Sequence, residues 1–407
     1  MSHPDPALQL DEVALRDELV RRARELQPLL RKNAAQTDRE RRAVEENIAA
    51  IDQAGLFRIM LPRRLGGFGA PVRTHVDVAA TLAEACPGTS WVQNLIGGCN
   101  WFASLLSERA QDDIFKANPK ARVAGVFTPS SQTHRRDVEG GLIVSGKWYY
   151  ASGCLHADWG LVGLTEEDAQ GKVVDQFIAF IPMKELTIED SWHTVGMRGS
   201  GSACLVAKDV FVPRHHMYSV PKILAWDYPT EFQGRADEAN SAAAFVPLAV
   251  IILAGPQLGM ARAALDYVIS MAPKRAVTYT TYARQSDSTA FQTQVAEAAM
   301  RIDTAHLHVY RACDDIQRYA AANQFPDYKT RARLRCDAAY GIRNALDALN
   351  MLIAAHGSGG FAESSPMQRW WRDANTAAGH AVGLPSVAME IHGKALLGID
   401  TLVTPLV

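Results

Sequence analysis

The feature that most constrains this chain is a twofold change in the period of its apolar residues. Over residues 121–225 the segments "RVAGVFT", "GGLIVSGKWYYASG", "WGLVGLT", "VVDQFIAFIP", "TIEDSWHTVG" and "ACLVAKDVFVP" are short and rich in Val, Ile, Phe, Tyr and Trp. Gly, Asp and Pro separate them. Branched and aromatic side chains at that spacing fit a pleated, half-buried surface, so this zone predicts an antiparallel sheet closed as a sandwich or barrel. On both sides the period is helical. In "LRDELVRRARELQPLLRKNA", Leu15, Leu19, Ala23, Leu26 and Leu30 fall on one helix face, with Arg and Glu on the other. After residue 226, "FQTQVAEAAMRIDTAHLHVYRACDDIQRYAAA" and "KTRARLRCDAAYGIRNALDALNMLIAAHG" are long and alanine-rich, as in a four-helix bundle. The expected fold class is α+β, mostly α: helices over 1–120, a β domain over 121–225, and a helical bundle over 226–407.

Composition removes several alternatives. A net charge of -2 supplies no basic face for nucleic acid or an anionic membrane. The longest apolar stretch, "FVPLAVIILAGPQLGM", carries two prolines and two glycines and reads as a buried helix or helix-turn-helix, not a membrane span. The polar, acidic start "MSHPDPALQLDEVALRDE" does not read as a signal peptide, so a cytoplasmic protein is expected. Six cysteines, at 86, 99, 154, 204, 313 and 336, show no Cys-x-x-Cys pair. Adjacent His215 and His216 should diverge in an extended segment, and His306 and His308 should point to different sides of a helix, so no metal site is expected. "GSGS" at 199–202 lies among strands and has the wrong spacing for a dinucleotide loop.

The order helix, sheet, helix resembles the acyl-CoA dehydrogenase fold. Motifs in the same order support this: "LPRRLGGFG", "SGKWYYASG", "WHTVGMRGSGSACLVAKDVFVP", "LAGPQLGMARAALDYV" and "HGSGGFAESSPMQRWWRDA". The resemblance implies a flavin between the β domain and the bundle. Ser152, followed by Gly153, would offer its hydroxyl to the flavin N5 edge, unless it only closes a turn. The backbone of "VFTPSS" around Phe127 and Thr128 would meet the pyrimidine rim, and Trp192 would flank the ring or belong to the core. Arg275 and the loop "HGSGGF", with Gly359 and Gly360, would hold the phosphates, across subunits in a homotetramer or dimer.

The dehydrogenase base is missing. Counting from the Arg372-Asp373 pair to the place where family members keep a Glu reaches Ala381, with His380 just before it. The other known base position falls near Ala249, and "PLAVIIL" has no carboxylate. Without that base no α-proton can be taken. The chain instead resembles the two-component flavin monooxygenases of this fold, which carry a His after the Arg-Asp helix start. That resemblance implies reduced FAD, or FMN, delivered by a separate NAD(P)H-flavin reductase. It also implies oxygen transfer through a C4a-hydroperoxyflavin to a small aromatic or heteroaromatic substrate, with Ser152 and His380 catalytic. Where phenol-hydroxylating relatives have a His, this chain has Cys99, a poorer base, which leaves room for an electron-rich ring such as an indole, or an amine. Asn100 and Trp101 are candidate pocket residues, with core packing the alternative for Trp101. Other readings are a dehydrogenase or oxidase with a relocated base, an amino-sugar N-hydroxylase, and a flavin-free interaction protein.

Overall fold

The computed structural model describes residues 5–130, 132–168, 170 and 172–407. Helix α1 (Glu12–Glu40) begins where the Asp11 carboxylate accepts the Ala14 N–H at 2.9 Å, and it buries Leu15, Leu19, Ala23 and Leu30. Helices α2 (Glu45–Gln53), α3 (Val72–Ala83) and α4 (Pro87–Ala103) follow. Pro87 stands at the first position of α4, where its missing N–H costs nothing.

Eight strands come next: β1 (Val123–Pro129), β2 (His134–Val138), β3 (Gly141–Ala151), β4 (Trp159–Glu167), β5 (Val173–Pro182), β6 (Thr187–Glu189), β7 (Ala203–Pro213) and β8 (Met217–Ser219). They form two four-stranded sheets, ordered β1-β4-β5-β8 and β2-β3-β7-β6. Neighbouring strands are antiparallel except β1 and β4, which run parallel, a departure from the all-antiparallel expectation. The sheets share their own core of Leu142, Val144, Trp148, Val162, Leu164, Ile181 and Leu205.

The apolar stretch "FVPLAVIILAGPQLGM" folds as two helices, α5 (Phe245–Ile251) and α6 (Ala254–Met271). Although Phe245–Lys274 is apolar enough to cross a membrane, 83% of its apolar window is buried inside the protein. Helices α7 (Thr289–Ala321), α8 (Tyr328–His356), α9 (Pro366–Ala377) and α10 (Pro385–Leu397) complete the chain. Helices α1–α4 and α5–α9 contribute to one continuous apolar core, which also takes Val123, Ala124 and Leu161 from the first sheet.

One turn locks the second sheet to both sets of helices. Gly196 approaches α9 so closely that a Cβ there would lie 2.1 Å from the Arg372 carbonyl oxygen. The next residue, Met197, is held at φ 52°, and its N–H donates to Asp373 Oδ1 at 2.5 Å. Arg372 reaches Asp38 at the end of α1, at 3.0 Å, and Arg198 Nε donates to the Asp38 carbonyl at 3.0 Å. Asp373 is only 3% exposed. Burial pushes its carboxyl up to about 7; Asp38 pushes the same way, while the Met197 N–H and the neighbouring arginines oppose.

A pH signature follows from that shift. The folded pKa lies above the unfolded value of about 3.9, so the folded state holds the proton more tightly and loses stability as pH rises to about 7. In thermal melts, the midpoint of Asp373→Asn minus that of the wild type should grow between pH 4.5 and 7.5 and level off above. A difference independent of pH would mean that the carboxylate is already ionised across that range.

Candidate active site

Two bulges, one in each sheet, shape the strands around the site. In the β3–β7 ladder, pairing skips from Trp148↔Leu205 to Ala151↔Ala203, which leaves Tyr149 and Tyr150 out of register. Tyr150 takes φ 74°, unusual for a bulky residue. In the β1–β4 ladder, pairing skips from Val126↔Val162 to Pro129↔Gly163, so Phe127 and Thr128 form the second bulge. Bulges re-aim side chains and free backbone groups.

Directly after the first bulge, Ser152 and Gly153 (φ 79°) form a tight turn. The Ser152 hydroxyl accepts the Trp91 indole N–H at 3.1 Å and lies 2.7 Å from the Ser202 hydroxyl. Ser202 lies 2.8 Å from Ser200, whose hydroxyl donates to the Met197 carbonyl at 2.8 Å. That carbonyl fixes the direction of the chain. Ser200 spends its hydrogen on Met197, so Ser202 donates to Ser200 and Ser152 donates to Ser202. Ser152 is left with one free lone pair.

His380 follows the end of α9, its N–H bonded to the Ala377 carbonyl at 3.1 Å. Its ring lies 6.2 Å from the Trp91 ring, so Trp91 stands between the two residues that the motif spacing singles out. His380 keeps accessible surface, yet the protein atoms crowded round its ring push its pKa below the ordinary histidine value. It is neutral near pH 7. Trp192 is half-buried, donates to the Met197 carbonyl at 2.9 Å and meets the Tyr150 ring edge-on at 5.7 Å.

Arg275 and the glycine loop form a second cluster, at the other end of α9. Arg275 Nη2 donates to the His356 carbonyl at 3.3 Å, and its buried Nε has no partner among the described residues. A Cβ on Gly359 would sit 3.1 Å from the guanidinium, so bare backbone faces the cation there. Phe361 packs edge-on against Trp371 of α9 at 5.6 Å, and Gly360 is buried under His356. The 12 residues of α9 rise about 18 Å, at about 1.5 Å per residue, between this cluster and His380. A guanidinium beside bare glycine backbone suits a phosphate, and a hydroxyl with a free lone pair suits an N–H on a flat ring edge. The donor set therefore fits a flavin nucleotide.

The structure changes or narrows several expectations. Asn100 is fully buried: its Nδ2 donates to the Phe57 carbonyl at 3.2 Å and its Oδ1 accepts the Val123 N–H at 2.9 Å. Trp101 is likewise buried, donating to the Asn240 carbonyl at 2.9 Å. Both are spent holding α4 to its neighbours, not lining a pocket. Cys99 is also buried, and burial pushes its thiol up to about 12. The side chains of His215 and His216 do not diverge. A short turn after β7 brings their rings to 4.4 Å, with both Nε2 atoms on Asp113 Oδ2 at 2.8 and 2.9 Å.

Motif reading gave no role in the site to Trp91, Tyr150, Ser200, Ser202 or Asp373. The available signal was the polar "GSGS" run: unsuited to a dinucleotide, it supplies the hydroxyls that orient Ser152.

Residues 11–112 match the acyl-CoA dehydrogenase N-terminal domain and residues 251–383 the acyl-CoA dehydrogenase C-terminal domain. The chain is 33% identical over 417 residues to the FADH(2)-dependent resorcinol hydroxylase, oxygenase component, of Rhizobium sp. (strain MTP-10005), covering 98% of each. It is 31% identical over 385 residues to the flavin-dependent monooxygenase, oxygenase subunit HsaA, of Mycobacterium tuberculosis (strain ATCC 25618 / H37Rv), covering 93% of this chain and 95% of that one. Among solved structures, XiaF from Streptomyces sp. in complex with FADH2 and glycerol superposes with a TM-score of 0.90 at 35% identity, over 97% of this chain and 98% of that one. The chain belongs to the acyl-CoA dehydrogenase-fold family, among its flavin-dependent monooxygenase oxygenase components.

Proposed function

We propose that this chain takes reduced FAD from a separate NAD(P)H-flavin reductase and uses it with O2 to hydroxylate a small aromatic or heteroaromatic molecule. The observation that carries the reading is the oriented hydroxyl chain ending at Ser152, beside a neutral His380 and with no carboxylate at either dehydrogenase base position. Bound reduced flavin supplies the two electrons that activate O2.

The residues of the chain do the rest. Ser152 would use its free lone pair to accept the N–H that the reduced ring carries at N5 and the oxidised ring lacks there. Trp91 fixes Ser152 and bounds His380. Neutral His380 can donate from one ring nitrogen and accept at the other, which suits it to hold a proton beside the reacting oxygen. Arg275, Gly359 and Gly360 would bind the diphosphate of FAD or the phosphate of FMN, and the backbone at Phe127 and Thr128 the pyrimidine rim. The missing carboxylate argues against dehydrogenation. Leu396, Leu397, Ile399 and Leu402 leave exposed apolar surface at the C-terminus, which supports a homotetramer or dimer, and we place the enzyme in the cytoplasm.

Purified protein given chemically reduced FAD should consume O2 and oxygenate an aromatic acceptor, and should do neither with oxidised FAD alone. In Ser152→Ala and in His380→Ala, product formed per O2 should fall at least tenfold, with hydrogen peroxide released instead. If both variants keep wild-type yield, these residues are not the site. The neutral form of His380 is lost only as pH falls through its depressed pKa, so yield should be flat from pH 7 to 8.5 and drop only once the pH is below the ordinary histidine value. His380→Asn should abolish that break; a break that persists belongs to another group.

A further inference from the structure

Asp113, His215 and His216 bring three metal-ligating side chains to one point. His215 Nε2 lies 2.8 Å and His216 Nε2 2.9 Å from the same atom, Asp113 Oδ2, and the three donor atoms fall within 4.8 Å of one another. Two irregular turns produce this. Asp113 sits in the π-helical run Asp112–Lys116, a wide turn that is rare and frequent at functional sites. The histidines close the one-turn helix Arg214–His216 that follows β7. In an extended strand their rings would diverge; this turn sets the ring planes 63° apart with centroids at 4.4 Å.

The three side chains differ in setting. His216 is 5% exposed, its ring edge-on to Trp159 at 5.3 Å, and its buried Nδ1 has no partner among the described residues. Its polar contact is therefore made through Nε2, toward Asp113. His215 is partly buried and Asp113 is exposed, so the cluster has an open side facing water. Lys116 takes up the neighbouring Asp112 at 2.9 Å, which leaves the Asp113 carboxylate to the histidines.

Donors held about 2.1 Å from a metal ion and subtending about 90–110° stand roughly 3.0–3.4 Å apart. The two His–Asp spacings need to open by only a few tenths of an ångström to reach that range. Two imidazole nitrogens and one carboxylate oxygen suit a first-row divalent ion such as Zn2+, with water completing the shell on the open side. Mg2+ and Ca2+, which take oxygen ligands, are poorly matched.

We propose that Asp113, His215 and His216 bind one divalent ion of the Zn2+ type, which clasps the helical segment after α4 to the exit of β7. Its role is structural and separate from the oxygenase chemistry. β7 starts one residue after Ser202, and its 11 residues rise roughly 35 Å, at about 3.3 Å each, toward the histidines. The ion ties a position before the sheets to one after their longest strands, so it favours the docked arrangement over any state in which the two part. Arg109 puts a positive charge near His216 that works against a dication, so micromolar and not nanomolar affinity is expected.

The test uses the untagged full chain, stripped with EDTA, with Zn2+ and Cu2+ as probes. Isothermal titration should give one Zn2+ per chain. The six cysteines are all buried, so thiols do not compete. Asp113→Asn and His215→Gln, both at accessible positions, should each weaken Zn2+ binding about tenfold or more. Cu2+, which such ligands hold more tightly, should quench tryptophan emission at stoichiometric concentration, and Trp159→Phe should remove most of that quenching. Saturating Zn2+ should raise the wild-type melting midpoint by about 3 °C and leave that of Asp113→Asn where it was. No binding by the wild type, wild-type affinity in both variants, or quenching that survives Trp159→Phe would each overturn the assignment. The cluster would then be a carboxylate accepting two imidazole N–H groups and nothing more. A wild-type midpoint that zinc does not move would remove the clasp. The copper readout alters no ligand, so a variant that fails to fold does not protect the idea.

Discussion

The structure turns on the bond between the buried Asp373 carboxylate and the Met197 N–H. It holds a backbone turn at φ 52° against a helix that Gly196 alone lets come so close. The same residue, Met197, offers its carbonyl to Ser200 and to Trp192. One residue thus joins the helical core on its N–H side to the serine chain on its C=O side. The direction of hydrogen bonding at Ser152 is inherited from that carbonyl through two hydroxyls. His380 lies seven residues beyond Asp373 on the same segment, so both groups proposed for chemistry are located by one clasp. A carboxyl buried so deeply carries a cost, seen in its raised pKa, and the cost is borne where two layers must keep register.

The second determinant is what the site lacks. A scaffold that removes a proton from carbon needs a carboxylate aimed at it. Here one such position is Gly379-His380-Ala381 and the other falls near Ala249 in a carboxylate-free helix, so neither supplies that base.

Much of the architecture was legible. Apolar positions at 3.6- and 2-residue periods separate sheet from helix along the chain, because each period buries one face of one kind of element. The breaks in "FVPLAVIILAGPQLGM" pointed to buried helices, and α5 and α6 part at Ile252–Leu253, just before Gly255-Pro256. The site was legible only in part. Motif spacing brought forward Ser152 and His380, but not Trp91, which touches one and flanks the other, because a tryptophan inside an apolar helix looks like core. Asn100 and Trp101 were drawn toward the pocket by their neighbour Cys99, although on a helix adjacent residues point about 100° apart. His215 and His216 were judged by the geometry of an extended strand, and a one-turn helix at that point changed the answer.

The sequence by itself determined the order of layers and the absence of a dehydrogenase base. These follow from residue identity and local period, which need no long-range contact. Only the tertiary structure decided the polarity of the serine chain and the closeness of His380 to Trp91. Each joins groups from elements far apart in the chain, and their approach is set by how Gly196 and the two β-bulges let backbones meet. Local periodicity says which face an element buries, and packing alone says what that face meets.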